Sequence, residues 1–165
     1  MIHVLFLCLH NSARSLMAEA MLNHLGKGRF RAYSAGSQTQ PDEQPHPLAL
    51  NVLSRVGFEV ESLYSKSWDE FTTPEAPCMD LVITVCDDTA EVVCPVWPGH
   101  PATAHWGYPD PVLVQGDLAH QEAAFHDCMI ALHHRLELLL SLPVDKLEPA
   151  LLGASAQALA QRSPA

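Results

Sequence analysis

A chain of 165 residues, 48% hydrophobic and 17% charged, can bury one core without disulfide or metal staples. Its formal net charge of −10 excludes a nucleic-acid or anionic-membrane partner, because both want an excess of Lys and Arg. A small anion remains admissible, since backbone dipoles outweigh the global field at short range.

The first apolar run, residues 2–7 (IHVLFL), predicts a strand buried on both faces. It is too short for a secretory signal, and no run approaches membrane-spanning length. Residues 15–25 (SLMAEAMLNHL) predict a helix stopped by Gly26 and Gly28. A second strand is expected over 29–37, entering a turn of small residues. A helix is expected over 46–58, with Pro47 near its start and Gly57 at its end. Residues 67–71 (SWDEF) read as a short helix and 80–86 (DLVITVC) as a third buried strand. The proline-containing segment 87–111 is too long to be an idle connector, and TAHW within it reads as a short fourth strand. Residues 119–142 predict a long amphipathic helix, and 143–165 a helical or frayed tail. Strands alternating with helices imply a parallel α/β sheet in one domain, residues 1–142.

The five cysteines are Cys8, Cys78, Cys86, Cys94 and Cys128. An odd count without an export signal predicts cytoplasmic thiols, and makes any disulfide transient and catalytic.

Chemistry concentrates in FLCLHNSARSLMAEA, residues 6–20. Cys8 ends the first strand, and ligands of parallel sheets bind beyond such ends. The curl that follows turns the backbone N–H groups of Leu9, His10, Asn11, Ser12 and Ala13 inward as an anion nest, and the next helix adds its positive end. Arg14 can grip two oxygens of the anion. Ser12 and Ser15 can donate to the sulfur or to the anion, and Asn11 can hold the loop. Such surroundings favour thiolate over thiol and leave it under a bound tetrahedral oxyanion. The competing reading is a buried, inert Cys8 and a surface Arg14. No Walker pattern is present, so nucleotide binding is not indicated.

FLCLHNSARSLMAEA, AYSAGS, TVCDDTAEVVCPVWPG and HWGYPDP together resemble the arsenate reductases of the low-molecular-weight tyrosine phosphatase superfamily, over residues 2 to 142. The resemblance implies a four-stranded parallel sheet with helices on both faces. It implies that Asp110, placed after the third strand, donates a proton to the leaving oxygen; taken alone, Asp110 reads as a turn residue. It implies a relay of Cys8, Cys86 and Cys94, in which a dithiol becoming a disulfide supplies the two electrons that arsenate reduction needs. Cys86 and Cys94 read otherwise as unrelated thiols, or as metal ligands with His100 and His105. Their spacing suits no tight zinc knuckle, so no metal is expected. Three features depart from the phosphatases: their loop typically carries Gly at His10, Cys at Ala13 and Pro at Leu16; their acid is followed by a Pro-aromatic pair, whereas Val112 follows Pro111 here; and above all two further cysteines, Cys86 and Cys94, lie in the loop that follows the third strand.

Asn11, Glu19 and Ser34 match a supporting shell behind the loop in related enzymes. Lys66 stands where some members place an acidic residue to complete a potassium site, so it either replaces the ion or is solvated. The resemblance further implies arsenate as substrate, with phosphate or sulfate as analogues. It implies no tightly bound cofactor and an external thiol reductant, thioredoxin before glutathione with glutaredoxin. The alternatives are a tyrosine or small-molecule phosphatase using Cys8, Arg14 and Asp110, and a non-catalytic oxyanion or redox module. Cys78 and Cys128 match no motif; Cys128 is expected in the core.

Overall fold

The structure, a computed structural model, describes residues 1–87, 97–143 and 149–160. Its elements are β1 (Ile2–Cys8), α1 (Arg14–Leu25), β2 (Phe30–Gly36), α2 (Pro47–Arg55), a 3₁₀ turn (Trp68–Phe71), β3 (Leu81–Thr84), β4 (Ala102–His105), a second 3₁₀ turn (Pro111–Leu113), α3 (Leu118–Leu140) and α4 (Pro149–Leu159). The strands form one parallel sheet in the order β2-β1-β3-β4.

β1 is central, and Val4, Leu5, Phe6 and Leu7 are fully buried. Alternation sends Val4 and Phe6 into the main core with residues of α1, α2, α3 and α4. Leu5 and Leu7 go to a smaller cluster with Phe71 of the first 3₁₀ turn, Val82, Met79 and Trp97, so both faces of the sheet are covered. The register sets Cys8 beside Gly36 and Leu7 beside Thr84, which gathers the carboxyl ends of three strands at one edge.

Several elements are shorter than the sequence pattern suggests. α2 stops at Arg55, where Gly57 takes φ +93° and the Phe58 N–H turns back to Leu53 O. β3 ends at Thr84, and Val85 still donates to Leu7 O without extending the ladder. Asp110 follows β4, not β3, a correction to the expected position: the short fourth strand lies between the relay loop and the acid.

Both outer strands are closed by a side-chain amide. On β2, Ala32 N–H donates to Asn23 Oδ1 (2.8 Å) and Asn23 Nδ2 donates to Ala32 O (3.1 Å). On β4, His105 N–H donates to Gln157 Oε1 (2.8 Å) and Gln157 Nε2 donates to His105 O (3.3 Å). α4 reaches β4 this closely because Gly153 lies against it; a Cβ there would sit 3.2 Å from Ala102 Cβ. Among the described residues, no helix is long and apolar enough to cross a membrane.

Candidate active site

The loop between β1 and α1 folds around the Cys8 sulfur, which is 3% exposed. Asn11 N–H donates to Cys8 Sγ (3.2 Å), and Ser15 Oγ lies 2.8 Å from it. Asn11 Nδ2 donates to Ser15 Oγ (2.7 Å), which leaves the Ser15 proton for the sulfur. The Asn11 amide cannot flip, because its Oδ1 accepts Lys66 N–H (2.9 Å). Asn11 takes φ 56°, a left-handed conformation that Asn tolerates better than most residues. Two donors therefore converge on the Cys8 sulfur.

The loop is held from outside as well. Ser65 Oγ donates to Asn11 O (2.7 Å), Thr39 Oγ1 to His10 O (3.0 Å), His46 N–H to Ser12 O (2.8 Å) and Gln38 N–H to Leu9 O (2.7 Å). Gly36 is required there, since a Cβ would lie 2.7 Å from Leu9 O and 2.1 Å from Thr39 Oγ1. The His10 ring is half-exposed and pairs with Glu43 (3.3 Å).

Arg14 opens α1 and is buried to 4% exposure. Its Nη1 donates to Tyr108 O (3.0 Å) and its Nη2 lies 3.4 Å from Asp110 Oδ2. Asp110 also caps the second 3₁₀ turn through Val112 N–H (3.0 Å). A small cleft is lined by Cys8, His10, Ser12, Ala13, Arg14 and Asp110, so a thiol, a guanidinium and a carboxylate meet at one place. Wider clefts of about 370 and 520 Å³ lie behind the β2 side and are lined by no cysteine.

Behind the loop, Ser34 Oγ donates to Glu19 Oε1 (2.6 Å) and Lys66 Nζ lies 3.6 Å from the same oxygen. Lys66 Nζ also donates to Tyr64 O (2.8 Å) and reaches Ser34 Oγ (3.4 Å). Burial pulls the Lys66 ammonium below the ordinary lysine value, and Glu19 opposes that shift. The ammonium engages the oxygens that would hold a potassium ion, so these residues do not fit one. Lys66 is 8% exposed, and the solvated alternative falls.

Cys86 is 1% exposed, two residues beyond β3 at the edge that carries Cys8. Cys94 lies outside the described residues. Cys128 is buried on α3, and its thiol is pushed up to about 12, chiefly by burial. Cys78 is an exposed thiol. Among the described residues, no group of three or more His, Cys, Asp or Glu could hold a metal; His105 Nδ1 instead lies 2.6 Å from Thr84 Oγ1. Sequence reading gave no role to Tyr108, although it lies in HWGYPDP, nor to Ser65, Thr39 and His46, which bind backbone carbonyls of the loop; only the small-residue turn AYSAGS hinted at the close packing.

A sequence profile of the low molecular weight phosphotyrosine protein phosphatases matches residues 3–149. The arsenate reductase of Bacillus subtilis strain 168 is 32% identical over 134 residues, covering 81% of this chain and 91% of the relative. The chain belongs to this phosphatase family, on its arsenate reductase branch. The arsenate reductase of Bacillus licheniformis is 36% identical over 114 residues, covering 68% of this chain and 76% of that one. Among solved structures, an arsenate reductase from Archaeoglobus fulgidus superimposes with TM-score 0.68 at 27% identity, covering 84% and 99% of the two chains. A thioredoxin-dependent arsenate reductase of Corynebacterium glutamicum gives TM-score 0.53 at 25% identity, covering 84% and 63%. A phosphatase of the same fold from Vibrio cholerae, at 19% identity and TM-score 0.59, shares the architecture.

Proposed function

We propose that this chain reduces arsenate to arsenite in the cytoplasm by a three-cysteine relay. The observation that carries the reading is the buried Cys8 sulfur with Asn11 N–H and Ser15 Oγ on it and the Arg14–Asp110 pair across the same cleft. Loop N–H groups and Arg14 hold the oxyanion. The Cys8 thiolate forms an S–As bond, one arsenate oxygen leaves, and Asp110 gives that oxygen its proton. The Cys86 thiolate then attacks Cys8 Sγ. The S–As electron pair passes to arsenic, arsenite leaves, and a Cys8–Cys86 disulfide remains. Cys94 attacks Cys86, which frees Cys8. An external thiol reductant, thioredoxin before glutathione with glutaredoxin, reduces the Cys86–Cys94 bond and is itself oxidised to a disulfide. No tightly bound cofactor takes part. Asn11, Glu19, Ser34 and Lys66 keep the loop in shape, with the ammonium standing in for an ion. Residues 1–142 carry the catalytic groups, and α4 packs on β4 beside them. Burial of Cys86 at the same sheet edge as Cys8 supports its role as first resolving thiol.

Mass spectrometry of arsenate-treated protein under thiol trapping tests the relay. Cys86–Cys94 is expected in the wild type and Cys8–Cys86 in Cys94→Ser. Free Cys8, Cys86 and Cys94 after treatment, with phosphate-ester hydrolysis unaffected by Cys86→Ser, would establish a phosphatase instead.

A further inference from the structure

Arg135, on α3, is 9% exposed and pairs with no carboxylate among the described residues. Its Nη2 donates to Ala160 O at the C-terminal end of α4 (3.2 Å). Its Nε and Nη1 are buried without a hydrogen-bond partner. The guanidinium carbon lies 4.7 Å from the centroid of the Tyr108 ring. Burying a cation without a counter-charge is costly, and an apolar side chain would fill this space at less cost. The position of Arg135 therefore calls for a function beyond packing.

The function follows from what Tyr108 does. Its N–H donates to Cys86 O (3.3 Å), and its carbonyl accepts Arg14 Nη1 (3.0 Å). The peptide that aims Arg14 is thus fixed by a ring, and Arg135 covers that ring. Arg135 in turn rests on the negative end of α4, a favourable place for a cation. α4 is itself fastened to the segment leading to Tyr108: Trp106 Nε1 donates to Ala156 O (2.8 Å), and Gln157 pairs with the His105 backbone. This helix begins where the match to the phosphatase family ends.

We propose that Arg135 is a positioning residue for oxyanion binding. Anchored on α4 and set over the Tyr108 ring, it holds the Tyr108 carbonyl against Arg14. The inference rests on the Cys8–Arg14 loop being that site. It adds to the loop a brace from the far end of the chain, and it makes α4 part of the binding machinery.

The test uses the full chain and inorganic phosphate, so it does not depend on reductase turnover. Phosphate protection of Cys8 from iodoacetamide is measured for wild type, Arg135→Met, Arg135→Lys and Arg14→Lys, with a melting curve for each. Arsenate KM and kcat are measured alongside. Arg135→Met is expected to raise the half-protecting phosphate concentration and the KM by about tenfold, with a smaller change in kcat and no loss of melting temperature. Arg135→Lys keeps the charge but not the planar stack, and should fall between the two. Wild-type protection and KM in folded Arg135→Met, or in Arg135→Lys should Arg135→Met not fold, overturn the proposal and leave the oxyanion site intact if Arg14→Lys loses protection. Wild-type protection in Arg14→Lys as well overturns the site and the proposal together.

Discussion

Two buried cations flank the Cys8 loop, and the fold holds them in different ways. On the β2 flank, the Lys66 ammonium faces Glu19, Ser34 and the Tyr64 carbonyl. On the β4 flank, Arg135 faces one carbonyl and one ring. Lys66 is neutralised, and its backbone N–H orients Asn11, so that flank shapes the loop. Arg135 has no carboxylate partner among the described residues, and it covers the ring of Tyr108, whose carbonyl meets Arg14. One cation shapes the Cys8 loop, and the other braces the peptide that meets Arg14.

The largest effect comes from removing what both flanks serve. Cys8→Ser should abolish arsenate-dependent turnover, because a serine hydroxyl cannot be the thiolate this loop stabilises. It should leave the melting temperature near wild type; appreciable turnover, followed as arsenite release, would reject the nucleophile. Next, Glu19→Gln strands the Lys66 ammonium in a buried site. It should cost about 3–5 kcal/mol in urea unfolding, and Lys66→Met added to it should recover most of the loss. Arg135→Met should cost no stability, since it relieves a charge that has no partner. Equal losses in Glu19→Gln and Arg135→Met would erase the distinction between the flanks.

The smallest effect is a pH slope. Burial lifts the Cys128 thiol from 9.0 to about 12, so the folded chain keeps a proton that the unfolded chain gives up. The stability this contributes is complete below pH 9 and is lost as pH rises from about 9 to about 12. Cys128→Ala should flatten that limb by up to ~1.4 kcal/mol per pH unit, measured against its own stability at pH 7. An unchanged slope would show that Cys128 titrates alike in both states.

What sequence could reveal divides along the same flanks. The nucleophile loop was legible because its chemistry is contiguous: Cys8, Asn11, Arg14 and Ser15 lie within eight residues on one strand–turn–helix unit. Asp110 was legible as a residue of the Cys8 site through its place in HWGYPDP, but it was set after the third strand although the TAHW strand stands between them. α2 overran by three residues, because apolar periodicity continues through Phe58 while Gly57 turns the chain. Lys66 was legible as a choice between ion substitute and solvated side chain, which only burial could settle. Arg135 was illegible: on an amphipathic helix it reads as a surface residue, and its partners Tyr108 and Ala160 stand 27 and 25 residues away in sequence.

The amides of Asn23 and Gln157 carry a consequence for the molecule in a crowded solution. Sheets stack sideways into fibres only when both border strands offer open rungs to the next copy. Here each border spends a rung on its own side chain, Ala32 on Asn23 and His105 on Gln157. β2 closes further, with Phe30 N–H on Gly26 O and Gly36 N–H on Lys66 O. A neighbouring copy meets occupied backbone groups on either border. Two carboxamides thus guard a parallel sheet against templating its own polymerisation, one on the helix after the nucleophile and the other on the last helix of the described chain.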